Sequence, residues 1–122
     1  MITRQFNVML DTMNLATLQS NIAVTQNDKD VNTLIIKVRH GEEEIAYEDV
    51  DHAEIVFETA NKAIIRKDLE QASDRFTCSL GAEETAYPGA VMAIVHLYGA
   101  QGERIATAKF NFTVEWDLGG AL

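Results

Sequence analysis

The side chains that could carry chemistry are carboxylates, three histidines, one cysteine and a few serines, and their spacing limits what each could do. Eight acids, Glu42, Glu43, Glu44, Glu48, Asp49, Asp51, Glu54 and Glu58, fall within 17 residues that hold no lysine or arginine. A hard cation such as calcium takes several carboxylate and carbonyl oxygens, so Asp49 and Asp51 are the pair around which such a site would form. No EF-hand pattern of glycine and closing glutamate follows them, and Glu54 and Glu58 alternate with Ile55 and Phe57 as solvent-facing strand residues do. The stretch reads as a solvated acidic edge that opposes edge-to-edge strand pairing. Two-carboxylate glycoside chemistry depends on separation in space, so 19 acids supply many pairs and single out none.

His40, His52 and His96 are too scattered for a closed zinc cage, which needs about four converging ligands. His40 fits a turn, His52 a strand start and His96 an apolar strand. No metal and no cofactor is expected. Cys78 shares parity with Phe76 and Leu80, as a small buried side chain does and an activated nucleophile does not. As the only cysteine it forms no internal disulfide, which fits synthesis in a reducing cytoplasm. Ser20, Ser73 and Ser79 lack the Gly-x-Ser-x-Gly setting of a nucleophile elbow, and there is no phosphate loop or dinucleotide fingerprint. The chain is expected not to be an enzyme.

The elements that must position these residues are strands. Ala106, Ala108, Phe110, Phe112, Val114 and Trp116 alternate with Thr107, Lys109, Asn111, Thr113 and Glu115, the period of a half-buried strand. Leu34, Ile36 and Val38, then Ala53, Ile55, Phe57 and Thr59, then Phe6, Val8 and Leu10, then Phe76, Cys78 and Leu80 repeat the pattern. Residues 22–25 and 63–67 are shorter candidates. From Ala90 to Tyr98 both parities are apolar: Val91, Ala93, Val95 and Leu97 oppose Met92, Ile94, His96 and Tyr98. Such a strand is central, or turns its outer face to another protein chain. Trp116 has the inward parity of its strand, whereas Tyr47, Tyr87 and Tyr98 are candidates for exposure.

Gly41, Ala60-Asn61, Ser73-Asp74 and the 99–102 segment punctuate the strands at hairpin or short-loop spacing. One short helical turn is expected at 82–86, ended by Tyr87-Pro88-Gly89. The fold class is therefore all-β: an antiparallel two-sheet β-sandwich, immunoglobulin-like, of seven to nine strands. Residues 1–116 form one domain, and 117–122 read as a loose tail or the start of a linker.

Composition bounds the partners. The chain has 122 residues, 47% of them hydrophobic, and a net charge of 10 − 19 = −9. Phosphate binding needs a positive patch, so no nucleic acid and no anionic membrane is expected as the main ligand. The start has no uninterrupted apolar stretch of a secretory signal, and the longest apolar run, residues 90–95, is far short of the ~20 residues that span a bilayer.

One order of segments carries a resemblance. A short strand from Ile22 runs into the Asp28-Lys29 turn and then into the strand of Leu34, Ile36 and Val38; Ala53 to Phe57, the turn Tyr87-Pro88-Gly89-Ala90-Val91 and the closing hairpin Gly102 to Val114 follow. From about Arg4 to Glu115 this order resembles the amino-terminal domain of the phage baseplate upper protein family. Asp28 can hydrogen-bond its own turn and Gly89 permits backbone geometry closed to other residues, so Asp28, Lys29, Pro88 and Gly89 are expected as structural turn residues.

The resemblance implies a structural protein of the virion, located in the baseplate of a siphophage tail and made in the bacterial cytoplasm. It implies docking on the distal tail or central baseplate protein. It also implies a link to receptor-binding proteins for host adsorption, through a region that this sequence lacks, and a homo-oligomer, a trimer, in the full assembly. The sequence then reads as an amino-terminal fragment or a short relative, with the fragment favoured. The expected protein interface is the outward face of Met92, Ile94, His96 and Tyr98. The competing reading is a carbohydrate-binding sandwich that touches the bacterial cell wall, and it finds no row of exposed aromatics.

Overall fold

The computed structural model describes residues 3–14 and 16–117. Ten strands follow in order: β1 (Arg4–Asp11), β2 (Leu18–Thr25), β3 (Asn32–His40), β4 (Glu43–Glu44), β5 (His52–Glu58), β6 (Ile64–Asp68), β7 (Glu70–Gln71), β8 (Phe76–Ser79), β9 (Gly89–Tyr98) and β10 (Arg104–Glu115). The first sheet has the order β1-β3-β8-β7 with β4 beside β3, and the second has the order β2-β10-β9-β5-β6. Seven of these strands reproduce the immunoglobulin variable arrangement: β3-β8-β7 stand as B-E-D and β10-β9-β5-β6 as G-F-C-C′. The two inward faces meet on Phe57, Phe76, Phe110 and Phe112, all buried, with Leu34, Ile36, Ile55, Leu80 and Leu97 around them. Phe57 and Phe112 meet edge-on at 6.1 Å.

Two pairings differ from the antiparallel expectation. β1 runs parallel to β3, from Arg4 opposite Asn32 to Asp11 opposite Arg39, and β2 runs parallel to β10. Parallel neighbours need a crossover, and no helix is required here because β2, lying in the other sheet, is itself the crossover from β1 to β3. The helical turn expected at 82–86 is also displaced. Residues 82–85 form turns, and the one helical element among the described residues is a 3-10 turn, Tyr47–Asp49. Side chains divert the 81–86 backbone: Glu84 accepts from Gly81 N–H, and Thr85 Oγ1 donates to Asp28 O at 2.9 Å.

Tyr47, expected to be exposed, is 4% exposed and packs on Phe76 at 5.4 Å, with its hydroxyl oxygen accepting from Val38 N–H at 3.0 Å. Gln71 Nε2 donates to the carbonyls of Tyr47 and Val50 and so seals the turn that Tyr47 begins. Burial pushes the Cys78 thiol up to about 11, so it is protonated and inert at neutral pH.

The β2–β3 and β8–β9 connections both cross between sheets, and they lie side by side. Asn27 N–H donates to Thr85 O, Asp30 N–H to Leu80 O, and Gln26 Nε2 to Ala86 O. Beneath them Glu84, 1% exposed, accepts from Lys67 Nζ at 2.6 Å. Lys67 stands opposite Ile55, the core-facing parity of edge strand β6, so its ammonium is aimed between the sheets.

Replacing Lys67 by Met leaves a buried carboxylate without a cation, and because the lysine side chain is 30% exposed the loss falls at the low end for a broken buried pair, about 3 kcal/mol. Urea unfolding measures this; a loss below ~1 kcal/mol would mean that water already solvates Glu84. Gly89 has φ +127°, and a Cβ there would stand 2.8 Å from the Ala60 Cβ. Gly89→Ala is expected to cost about 2 kcal/mol by the same measurement.

Candidate protein-docking face

β9 is the central strand of the second sheet, bounded by β10 and β5. Its inward residues Val91, Ala93, Val95 and Leu97 are buried, and its outward residues Met92, Ile94, His96 and Tyr98 are half-buried. β9 is thus the central strand of the two readings, and its outer face is only partly covered.

Register assembles that face from neighbouring strands. Met92 lies between Glu58 and Asn111, Ile94 between Val56 and Lys109, His96 between Glu54 and Thr107, and Tyr98 between His52 and Arg104. β6 adds Arg66 beside Val56 and Ile64 beside Glu58. Met92, Ile94, Val56 and the exposed Ile64 form an apolar centre, and Glu54, Glu58, Arg66 and Lys109 surround it with charges of both signs. A shallow groove of about 360 Å³ adjoins Met92, walled by Glu58, Lys62 and Asn111. Val56, Ile64, Arg66 and Lys109 were not among the sequence candidates. Each has the outward parity of its own strand, and only pairing between strands brings them beside β9.

The upper end of the face is pinned by hydrogen bonds. Tyr98 Oη donates to Glu54 Oε1 at 2.9 Å, and Arg66 Nη1 donates to the same oxygen at 3.2 Å. The His52 ring stacks on Tyr98 at 4.8 Å, while His52 Nδ1 lies 2.8 Å from Asp51 Oδ2. His96 Nδ1 meets Thr107 Oγ1 at 3.0 Å. Burial, and after it the charge of Arg104, holds the His96 imidazole below its ordinary value of 6.5. A partner would meet side chains already fixed in one rotamer, which lowers the entropic cost of docking.

The acidic stretch does not form one edge. Glu43 and Glu44 make β4, Glu48 and Asp49 sit on the 3-10 turn, and Glu54 and Glu58 face outward from β5, which lies between β9 and β6. Edge position follows from long-range pairing, which strand parity does not encode. Among the described residues no three His, Cys, Asp or Glu side chains converge as metal ligands.

Of the turn residues, Gly89 occupies the geometry expected of it and Lys29 is exposed. The Asp28 carboxylate does not bond its own turn's backbone: it accepts from the Asn32 amide at 3.2 Å and lies 3.7 Å from Arg4. Pro88 lines an open groove with Gly89, Thr113 and Trp116. Trp116, expected inside, is 62% exposed, because strand pairing ends at Glu115 and inward parity ends with it. The tail expected at 117–122 lies outside the described residues from 118 onward.

This fold is shared with a phage protein. The N-terminal domain of phage TP901-1 ORF48 matches 93% of this chain and 99% of its own with a TM-score of 0.75, at 9% sequence identity. CopC from Methylosinus trichosporium OB3b gives a TM-score of 0.48 at 14% identity, over 80% of this chain and 85% of its own. At such identities the likeness is one of fold. No protein-family model matches the chain, and no curated protein matches it at a significant level.

Because the folded state favours neutral His96, the unfolded chain takes up the proton first. Stability is unaffected above about pH 6.5 and declines as the pH falls through that value toward the lower folded one. The melting temperature of the wild type should therefore drop as the pH falls from about 6.5 to 5.5, and His96→Gln, which keeps a hydrogen-bonding group beside Thr107, should flatten that slope. Parallel pH profiles of the two proteins would show that His96 carries none of it.

Proposed function

We propose that the chain is a non-enzymatic assembly module of a phage tail, placed in the virion baseplate, whose outer face on β9 docks on a distal tail or central baseplate protein. The observation that carries this reading is the half-buried centre of Met92, Ile94 and Val56, fixed at one end by Tyr98 and ringed by Glu54, Glu58, Arg66 and Lys109. Interface cores are apolar and depleted of charge, with aromatic anchors and a polar rim, and this face has that anatomy. The order of strands and turns from Arg4 to Glu115, which resembles the amino-terminal domain of baseplate upper proteins, supports the phage setting, as does the fold shared with a phage protein's N-terminal domain. In such an assembly the module holds the ring and, within a trimer, links it to the receptor-binding proteins that meet the host surface.

A carbohydrate-binding reading gains one observation, the exposed Trp116 above the groove at Pro88 and Gly89. Sugar recognition needs converging polar groups as well as a platform, and Trp116 brings only the platform. A glycan array with wild type and Trp116→Ala decides this: saturable binding lost in the variant would move the function to the cell wall.

For docking, Ile94→Asp and Tyr98→Asp should each weaken binding to the phage's distal tail or central baseplate protein by about 30-fold or more, the scale of a hot-spot residue. Calorimetry of the purified pair measures it, with circular dichroism to establish that both variants fold. Wild-type affinity in both folded variants removes this face from the interface.

A further inference from the structure

At the end of the sandwich where β9 finishes, the two sheets leave an apolar notch of about 240 Å³. Ile45, Ala46, Val50, Leu97, Ile105 and Ala106 wall it, with Asp49 and the Thr12–His40 pair at its mouth. Ile105 is 47% exposed although it is a large aliphatic residue. The volume is smaller than the ~300–1,000 Å³ of small-molecule pockets and suits one inserted side chain.

The segment that walls one side of the notch is rich in carboxylates. Glu42, Glu43, Glu44, Glu48 and Asp49 are all exposed and lie within a few residues of the walls, and among the described residues none of them has a cation within 4 Å. Arg39, opposite Glu44 in the β3–β4 register, and Arg104, beside Ile105, stand at the margins. Asp28, Asp51, Glu54, Glu58, Asp74 and Glu84 each have a basic or histidine partner, while Asp11, Asp30, Asp68, Glu70, Glu83, Glu103 and Glu115 lack one but are scattered along the chain. The densest run of carboxylates without an ion pair, residues 42–49, is thus the same segment that supplies Ile45, Ala46, Asp49 and Val50 to the notch.

We propose that this notch is a second docking point, distinct from the β9 face, and that it takes a basic segment of another protein carrying one aliphatic side chain. The aliphatic group fills the space between Ile45, Leu97 and Ile105, and flanking lysines or arginines meet Glu44, Glu48 and Asp49. Positive and negative surfaces that match in this way steer encounter and fix register, while the buried side chain supplies most of the affinity. A second copy of this chain fits poorly, since its own charge is −9.

The test is an amide-resonance titration of the isolated protein with the capped peptide Lys-Lys-Leu-Lys-Lys, beside Lys-Lys-Ser-Lys-Lys and Glu-Glu-Leu-Glu-Glu. The leucine peptide should shift Ile45, Ala46, Leu97 and Ala106, the serine peptide should produce weak shifts spread over the acidic loop, and the glutamate peptide none. Exposed Glu44 and Asp49 replaced together by Lys should weaken the leucine peptide about tenfold. Binding should also fade toward about 1 M salt, where screening acts within about 3 Å. Ile105→Ser should reduce the leucine peptide's affinity to that of the serine peptide. Equal affinity for the leucine and serine peptides would overturn the proposal, as would the same shifts produced by calcium alone or by raising the protein concentration alone. Docking through the β9 face is read from Ile94→Asp and Tyr98→Asp, so either result stands without the other.

Discussion

A lysine that points inward from an edge strand sets the terms for one side of this sandwich. Lys67 occupies a core-facing position of β6, where Ile65 precedes it on the same parity, and its ammonium has to find an anion between the sheets. Glu84 supplies that anion from a turn that follows the opposite sheet, and the same carboxylate takes Gly81 N–H. Each group alone would be expensive to bury, and together they fix how far β6 stands from the end of β8. The turn holding Glu84 is in turn sutured to the β2–β3 connection by Asn27, Asp28 and Thr85. An inward charge also blunts the β6 edge, which is otherwise open to pairing with a foreign strand.

That arrangement leaves β9 to satisfy two surfaces at once. Its ladder partners lie on both sides, so its backbone is fully engaged, and its inward residues are among the least exposed in the protein. Outward, the side chains of β5 and β10 flank it, and Thr17 Oγ1 lies 3.8 Å from Met92 Sδ. Met92 and Ile94 are half-buried, with Glu58 beside Met92 and Lys109 beside Ile94 in register, and long charged side chains can lay their stems over such apolar surface while their ends stay in water. Tyr98 differs, because Glu54, Arg66 and His52 hold it in place beforehand.

Most of the sandwich is legible in the period-two pattern, since a buried face writes itself into alternate residues. Ile55 and Phe57, Phe76 and Leu80, and Phe110 and Phe112 all lie where parity puts them. Parity says nothing about which strands pair or what lies beyond a strand's end, and several of the readings that failed were of that kind. The parallel β1–β3 and β2–β10 ladders join segments far apart in the chain. Trp116 lies one residue past the last ladder pair, where alternation no longer implies a face. Tyr47 sits amid acids, and its burial comes from Phe76, Val38 and Gln71, none of them nearby in sequence. The candidate site divides the same way: Met92, Ile94, His96 and Tyr98 are readable from one strand, whereas Val56, Ile64, Arg66 and Lys109 join them only through register.

The charge of −9 is sorted in space, and the sorting bears on which surfaces can associate. Around the β9 face the acids Glu54 and Glu58 are offset by Arg66, Lys62 and Lys109, so a partner of either sign meets little net repulsion there. At the notch end Glu42, Glu43, Glu44, Glu48 and Asp49 have no cation within 4 Å among the described residues, although Arg39 stands opposite Glu44 in register. Exposed like charges repel only weakly through water and salt, so the fold tolerates the cluster at small cost. The same cluster brought against a neutral or acidic surface would lose its hydration without gaining a counter-charge. Between the two regions runs the chain of contacts Asp51, His52, Tyr98 and Glu54, which belongs in part to each. The two regions thus differ in charge balance, with both signs around the β9 face and mostly carboxylates along the segment that walls the notch.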